Sequence, residues 1–405
     1  MSSAPNWSEG NARQFGPWPE LVTARSFLRS LVGYSEPPAA RPFTEIPVTH
    51  LAPWLVQQGL GPLACYRFAA SWPALASALQ SDFYAAAAEN SVHLERLSGI
   101  ATNFDQAGIP LVLLKGAALN LSVYTDPALR PMSDVDLWVR PADIPVASRA
   151  MVKAGYAIAV KHERPPALQE MAGGELAFVN SDGGLVELHW SPFSGWWLHY
   201  TCDVDQDALW ERIGPVQSPD RSTDGRVGAA TERLSAGWHT LSVEDTILHL
   251  AWHLGVNHQF GMWPVRSLVD LAMVIQQTTV DWQGLARRAR EWRLATVLWT
   301  TLLLVQQLIG PDELAPELEL LRPRRWRHRL LSQFVSPHSL IMGRDVSKRP
   351  ARYPLLFLLV DRLQDMLRLA FRTLWPEQAW LQARYRQSNV SRWRHLWNML
   401  RHRTI

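Results

Sequence analysis

A chain of 405 residues with 47% hydrophobic and 19% charged residues has the composition of a soluble globular protein and is long enough for two or three domains. Its two cysteines exclude a disulfide framework, and it shows neither a signal peptide nor a transmembrane segment, so we expect a cytoplasmic protein. The net charge of +3 is uneven, because 18 basic and four acidic residues lie from Arg322 to the end. An anionic partner, or packing against the acidic remainder of the chain, would balance the positive charge of that end.

The predicted elements change character along the chain. Residues 1–45 are rich in Pro, Ser and polar groups and are expected to be poorly ordered. Residues 46–107 carry apolar residues at helical spacing and predict a helical lead-in. Residues 108–215 predict a small mixed β-sheet with helices on one side, and residues 240–405 a helical C-terminal domain with a basic end. The predicted fold class is α+β.

The predicted sheet is built from short apolar runs that end at turn signals. Residues 109–114 form a continuous apolar run typical of a buried strand, and the run 134–139 carries carboxylates at alternate positions. Residues 156–160 are a third candidate strand. The segments 176–179 and 185–190 flank an Asn-Ser-Asp-Gly-Gly turn, which predicts a hairpin.

Two carboxylates at strand spacing are the strongest chemical signal in the chain. Asp134 and Asp136 point to the same face of a strand and repel each other unless a cation or a hydrogen-bond donor lies between them. Glu187, in another strand-like run, is expected to join them on a neighbouring strand. These three carboxylates predict a site for Mg²⁺ or Mn²⁺, whereas the pair alone is more typical of a solvated edge strand.

The junction between the first predicted strand and the next helix is a candidate phosphate site. Lys115, Gly116 and Ala117 stand where a helix N-terminus offers free N–H groups, and the lysine adds a positive charge. The alternative is an ordinary tight turn. Before the acidic strand, Arg130 and Ser133 can bind a triphosphate, or Arg130 can pair with Asp134 or lie in a surface loop.

Several histidines and a late aspartate are further candidates. His189 follows Glu187 at strand spacing, so it can accept a proton or orient Glu187. His249 and His253 are spaced for one helix face, but no third ligand follows, so we do not predict zinc. His253 and Asp270 remain candidates for closing a nucleotide pocket.

The C-terminal arginines are interleaved with tryptophan and tyrosine. This combination is typical of proteins that bind single-stranded nucleic acid or an anionic membrane surface. Solvated helix faces that balance an acidic body are the alternative, and no recognised RNA-binding motif is present.

The segment 109–156 resembles a known family in its motifs. It combines Lys-Gly-Ala-Ala-Leu, Tyr-Thr-Asp-Pro-Ala-Leu-Arg-Pro-Met-Ser-Asp-Val-Asp-Leu and Gly-Tyr, and Glu-Leu-His-Trp follows at 187–190. These motifs resemble the uncharacterised bacterial nucleotidyltransferase family of the polymerase-β-like superfamily. The resemblance extends through the helical half, where His253 and Asp270 lie in family-like segments.

The resemblance implies a metal-dependent transfer of a nucleoside monophosphate from an NTP to an acceptor. Asp134 and Asp136 would bind Mg²⁺–NTP, Glu187 would complete a second metal site, and residues 108–215 would form the nucleotidyltransferase core. The resemblance does not specify the acceptor, which can be a small molecule, a peptide, a protein or tRNA. Toxin–antitoxin-type nucleotidyltransferases modify tRNA or a protein. The chain departs from the superfamily at Ala117, which lacks a hydroxyl, and at Glu187, where an Asp is usual. A catalytically weak nucleotide-binding scaffold in a biosynthetic complex is therefore the alternative of another class.

Overall fold

A mixed β-sheet lies at the centre of the part of the chain that the computed structural model describes. The described residues are 21–35, 46–159, 174–193, 195, 198–217, 219, 237–311, 314–343, 352–387 and 389–400. The strands of the sheet are β1 (Leu111–Leu114), β2 (Val135–Trp138), β3 (Tyr156–Ile158), β4 (Glu175–Asn180), β5 (Leu185–His189), β6 (Gly214–Pro215) and β7 (Trp238–Thr240). The α+β fold class is confirmed.

The sheet has the order β3-β4-β5-β2-β1-β7-β6. Strand β2 runs antiparallel to β1 and parallel to β5, so it is a central strand with neighbours on both edges. The predicted hairpin is present as the antiparallel pair β4–β5. Strands β6 and β7 were not predicted, because both are short and lack an apolar alternation. Strand β7 is positioned instead by its parallel pairing with β1.

Both faces of the sheet are covered, which corrects the prediction of helices on one side. Val112 and Trp138 belong to one hydrophobic core, and Leu113 and Leu137 belong to a second core on the opposite face. Successive side chains of a strand point to opposite faces, so strands that are buried along their whole length need a layer on each side. All four residues of β1 and of β2 are buried.

The helices before β7 cover the first part of the chain. They are α1 (Leu21–Val32), α2 (Val48–Gln57), α3 (Gly61–Arg67), α4 (Pro73–Gln106), α5 (Lys115–Ser122), α6 (Ile144–Lys153), α7 (Leu198–Thr201) and α8 (Gln206–Glu211). Helix α1 lies within the segment 1–45 that was expected to be poorly ordered. It is helical because Phe27, Leu28 and Leu31 pack into the larger core with 1% exposure or less. Residues 1–20 and 36–45 lie outside the described residues.

The helices after β7 form the C-terminal half. They are α9 (Val243–Trp252), α10 (Pro264–Gln277), α11 (Trp282–Glu291), α12 (Ala295–Leu308), α13 (Leu314–Leu321), α14 (Arg325–Phe334), α15 (Pro337–Ile341), α16 (Arg352–Leu359), α17 (Leu363–Leu374), α18 (Gln378–Tyr385) and α19 (Arg392–Leu400). A π-helical segment, His253–Asn257, continues α9. The larger core joins residues of α2, the sheet and α9 to α16. The division into domains stays a prediction.

The sequence predicts one helix over 353–374, whereas the structure has two, α16 and α17. The break occurs at Asp361, whose carboxylate accepts hydrogen bonds from the backbone N–H groups of Ala295 (2.9 Å) and Thr296 (2.7 Å). These are free N–H groups in the first turn of α12. Asp361 therefore caps α12 from outside, and the chain leaves helical geometry there.

Candidate active site

Strand register brings the predicted acidic residues together. In the parallel pair β2–β5, Asp136 lies directly opposite Glu187, and in the antiparallel pair β1–β2, Leu114 lies opposite Asp136. Directly opposite residues point to the same face of a sheet. His189, two residues after Glu187, therefore shares that face, and Lys115 follows Leu114 at the end of β1.

The side chains on this face form one connected cluster around Asp136. The Lys115 ammonium donates a hydrogen bond to Asp136 Oδ1 (2.7 Å), and His189 Nε2 lies 2.8 Å from the same oxygen. His189 Nε2 lies 3.8 Å from Glu187 Oε2. One ligand atom each from Asp136, Glu187 and His189 falls within 4.8 Å of the others. The cluster therefore places two carboxylates and one imidazole around a volume that suits a single cation.

The electrostatics of the cluster favour an ionised Asp136. Burial alone would raise the pKa of Asp136, but the Lys115 ammonium and the hydrogen bond to His189 outweigh it and hold the pKa well below its ordinary value. Burial would likewise lower the pKa of Lys115, but the charges of Asp136 and Glu187 hold it above its ordinary value. Lys115 and Asp136 are therefore a largely buried ion pair, with side-chain exposures of 15% and 4%.

Asp134 lies immediately before β2 and is not a member of the three-residue group. Burial, then the charge of Asp136, raises the pKa of Asp134 to about 6. The Ser133 hydroxyl, which is exposed, lies 3.2 Å from Asp134 Oδ1. A carboxylate held in this way has excess negative charge around it, which a bound cation would relieve.

The donor set fits a divalent cation. Carboxylate oxygens are preferred by Mg²⁺, and an added imidazole nitrogen also suits Mn²⁺ and other first-row metals. The second ring nitrogen of His189, Nδ1, lies 3.5 Å from Glu175 Oε2. A carboxylate behind the imidazole is the usual outer partner of a metal-binding histidine. Sequence reasoning missed Glu175. The antiparallel register that sets it opposite His189 could have been derived from the hairpin.

The strand-to-helix junction has an unusual backbone. Lys115, the first residue of α5, adopts a φ of +46°, in the left-handed region that side chains other than glycine rarely occupy. Such strain persists only where surrounding contacts hold it and is common at functional sites. Here the ion pair with Asp136 holds the lysine. Ala117, two residues on, is 1% exposed and packs into the smaller core.

Gly116 is required by a close approach of Arg130. A Cβ added at Gly116 would lie 2.6 Å from Arg130 Nη1 and 3.3 Å from Met132 Cγ. The arginine cannot move away freely, because its guanidinium is paired with Asp270. Glycine at this position thus leaves room for the Arg130 side chain, which packs beneath the junction.

We expect Gly116→Ala to lower the free energy of unfolding by about 1–3 kcal/mol, because the methyl group overpacks the Arg130 pair. Gly99→Ala is the matched control, since a Cβ at that helical glycine meets nothing within 4 Å. The control should raise the free energy of unfolding by about 0.5–1 kcal/mol. Urea unfolding measures both. Equal effects of the two substitutions would contradict the packing role.

Arg130 and Asp270 are bound to each other rather than to Asp134. Arg130 Nε and Nη2 donate to the two oxygens of Asp270, both at 2.9 Å, and the Tyr124 hydroxyl donates to Asp270 Oδ1 (2.7 Å). Arg130 is 7% and Asp270 is 1% exposed. Of the alternatives for Arg130, the surface loop and the pair with Asp134 are therefore wrong. Direct contact of Arg130 or Asp270 with a nucleotide stays a prediction.

Two buried asparagines hold the backbone beside Arg130. The Arg130 carbonyl accepts hydrogen bonds from Asn90 Nδ2 (2.8 Å) and Asn120 Nδ2 (2.9 Å). Asn90 Oδ1 also accepts from the Met132 backbone N–H (3.0 Å). Both asparagines are fully buried. Together they connect α4 and α5 to the loop that leads into the acidic strand, and sequence reasoning missed them because each bond joins distant segments.

Helix α9 and the π-helical segment after it bring two histidines towards Lys115. Burial, then the charge of Lys115, lowers the pKa of His249 to about 3. The same causes hold the pKa of His253 well below its ordinary value. The two rings stack with centroids 6.2 Å apart. These histidines are therefore neutral near pH 7 and provide a less polar wall for the cluster.

His249 is expected to make the protein sensitive to mild acid. Between its ordinary pKa of 6.5 and its folded value of about 3, only the unfolded chain binds the proton, so stability falls as the pH falls. At pH 5 the loss from this group is about 2 kcal/mol relative to pH 7. His249→Leu should flatten that slope in metal-free urea titrations, whereas the exposed-site variant His50→Leu should retain it. An unchanged slope in His249→Leu would contradict the assignment.

The fold and the cluster define a class of protein: a mixed sheet with acidic side chains close together on adjacent strands, an arrangement that could hold a metal ion. Residues 44–310 match the model of a family described as uncharacterised nucleotidyltransferase. Since the match covers more than half of the chain, this chain belongs to that family, and the predicted resemblance is confirmed at the level of the family. A search of curated proteins and a search of solved structures each returned no match.

Proposed function

We propose that this protein transfers a nucleoside monophosphate from an NTP to an acceptor at the Asp136 cluster, with a divalent cation. Membership of a nucleotidyltransferase family supports transfer of a phosphorus-containing group. The observation that carries the proposal is the convergence of Asp136, Glu187 and His189 within 4.8 Å on two adjacent parallel strands. Mg²⁺ is the expected cation, with Mn²⁺ as the alternative that the imidazole favours.

Asp136 and Glu187 would hold the cation, with Asp134, just before β2, as an additional carboxylate and His189 as a further ligand or as a base. When bound, the cation would supply charge neutralisation at the phosphate oxygens. The acceptor oxygen forms a bond to the α-phosphorus, the bond from that phosphorus to the oxygen bridging the α- and β-phosphates breaks, and pyrophosphate leaves with that oxygen. Glu187 or His189 takes the acceptor proton.

Lys115 is proposed to exchange partners when the nucleotide binds. Its ammonium contacts Asp136 Oδ1 and would turn to the triphosphate once a cation neutralises that carboxylate. Gly116 and Ala117 would present the backbone at the N-terminus of α5 to the same phosphates, and Ser133 and His253 would line the approach. For Arg130 and Asp270 we propose a supporting role, in which they hold the junction in place beneath the nucleotide.

The proposal is tested by pyrophosphate release from each of the four NTPs, with Mg²⁺ or Mn²⁺ and with candidate acceptors of the four chemical types. Glu187→Gln should slow release by roughly 100-fold, because it removes a ligand charge and a proton acceptor. Glu211→Gln, at an exposed position at the end of α8, is the control. Equal rates of release for wild type and Glu187→Gln would reject the site.

Two alternatives remain beside this proposal. The excess of arginine after residue 322 favours tRNA as the acceptor, which would give strongly salt-dependent RNA binding. The Ala117 and Glu187 departures favour a nucleotide-binding scaffold, which would bind NTP without releasing pyrophosphate. The cytoplasmic location stays a prediction.

A further inference from the structure

Helix α17 carries a stripe of exposed apolar side chains. Leu363, Leu367, Phe371 and Leu374 recur at helical spacing, with exposed fractions of 61%, 61%, 59% and 50%. On the opposite side of the helix, Leu369 is fully buried. The helix is thus anchored to the protein by one side and presents its apolar stripe outwards.

The apolar surface continues onto the last helix. The Trp375 ring, directly after α17, packs edge-on against Trp393 of α19 with ring centroids 5.5 Å apart. Trp393 is itself 71% exposed, and Trp397, one turn further along α19, is 55% exposed. We call these six exposed residues of α17 and α19 the C-terminal apolar surface. Soluble proteins rarely expose a contiguous apolar patch of this kind without a partner.

The C-terminal apolar surface lies within a strongly basic segment. Residues 362–400 contain seven arginines and two carboxylates. One of the carboxylates, Asp365, is 1% exposed and faces the protein interior. Arg368, beside the stripe, has a side-chain exposure of 58%. Apolar residues that are bordered by arginines match a partner that is apolar inside and anionic at its surface.

We propose that the C-terminal apolar surface binds the surface of an anionic lipid bilayer, with α17 lying in the plane of the interface. Leucine and phenylalanine would enter the boundary of the acyl chains, tryptophan would lie at the level of the headgroups, and the arginines would bind lipid phosphates. Among the described residues, no helix is long and apolar enough to cross a membrane. The proposed binding is therefore peripheral.

Two other partners fit these side chains less well. Single-stranded nucleic acid selects aromatic residues for stacking on bases, but three of the four stripe residues are leucines. A second copy of this chain would bring two sets of arginines together, which is unfavourable. The family match ends at residue 310, so this surface also lies outside the matched nucleotidyltransferase region.

The full-length protein should float with vesicles of phosphatidylcholine that contain one-third phosphatidylglycerol, and not with vesicles of phosphatidylcholine alone. The double variant Leu367→Ser, Phe371→Ser should bind the anionic vesicles at least about tenfold more weakly, because two apolar side chains no longer enter the interface. The matched control is Tyr84→Ser, Val152→Ser, which removes two side chains that are equally exposed (61% and 60%) but lie elsewhere. It should bind as the wild type does.

The charge contribution is tested separately with Arg362→Gln, Arg368→Gln, which should weaken binding by about fivefold for each arginine. Three results would overturn the proposal. One is equal vesicle binding by the wild type and the serine variant of the stripe. Another is that the wild type sediments as a dimer and the serine variant does not, because the surface would then bind a second copy of this chain. The third is binding of single-stranded RNA in place of vesicles.

Discussion

Asp136→Asn is expected to reduce nucleotidyl transfer by roughly 1000-fold, the largest effect of any single substitution in this chain. The substitution removes the buried charge that faces Glu187 across the parallel pair of strands. It also leaves the Lys115 ammonium without its partner at 2.7 Å, so we expect the free energy of unfolding to fall by about 3 kcal/mol. Pyrophosphate release and urea unfolding measure the two effects.

A second variant separates catalysis from folding. In the double variant Lys115→Met, Asp136→Asn the unpaired ammonium is gone, so stability should return to near the wild-type value while activity stays lost. Added Mg²⁺ should raise the Tm of the wild type and leave that of the double variant unchanged. Mg²⁺ stabilises only a folded protein that retains the side chains that bind it. Recovery of activity in the double variant would show that Asp136 acts only through Lys115.

Asp270→Asn is expected to lower the free energy of unfolding by about 3–5 kcal/mol, because Arg130 would keep its buried charge without a counter-charge. Tyr124 would also lose a charged hydrogen-bond acceptor. For a chain of this size the Tm should fall by about 4–6 °C. Thermal unfolding in the absence of nucleotide measures the effect.

The matched control for Asp270 is Asp203→Asn. Asp203 also pairs with an arginine, Arg293, at 3.3 Å, but its side chain is 73% exposed. Solvent screens such a pair, so the substitution should change the free energy of unfolding by less than about 1 kcal/mol. An unchanged KM for NTP in Asp270→Asn, at a temperature where the variant is folded, would contradict both the nucleotide contact predicted from sequence and the supporting role.

Much of the candidate site was predictable, because its main elements are local patterns. The apolar run that forms β1, the alternating acids around β2 and the turn between β4 and β5 each lie within a few residues of sequence. The same holds for the motifs that resemble the nucleotidyltransferase family. The helical break at Asp361 was not predictable in this way, since the acid caps a helix that lies 65 residues away.

The sequence by itself determined that two carboxylates occur at strand spacing further along the chain than a Lys-Gly junction. It also determined that the chain belongs with nucleotidyltransferases. Only the tertiary structure decided which basic side chain pairs with each acidic side chain. Asp136 meets Lys115 across 21 residues, and Arg130 meets Asp270 across 140. These pairings depend on strand register and on where α10 packs, and both result from burial of apolar surface over the whole molecule rather than from any local pattern.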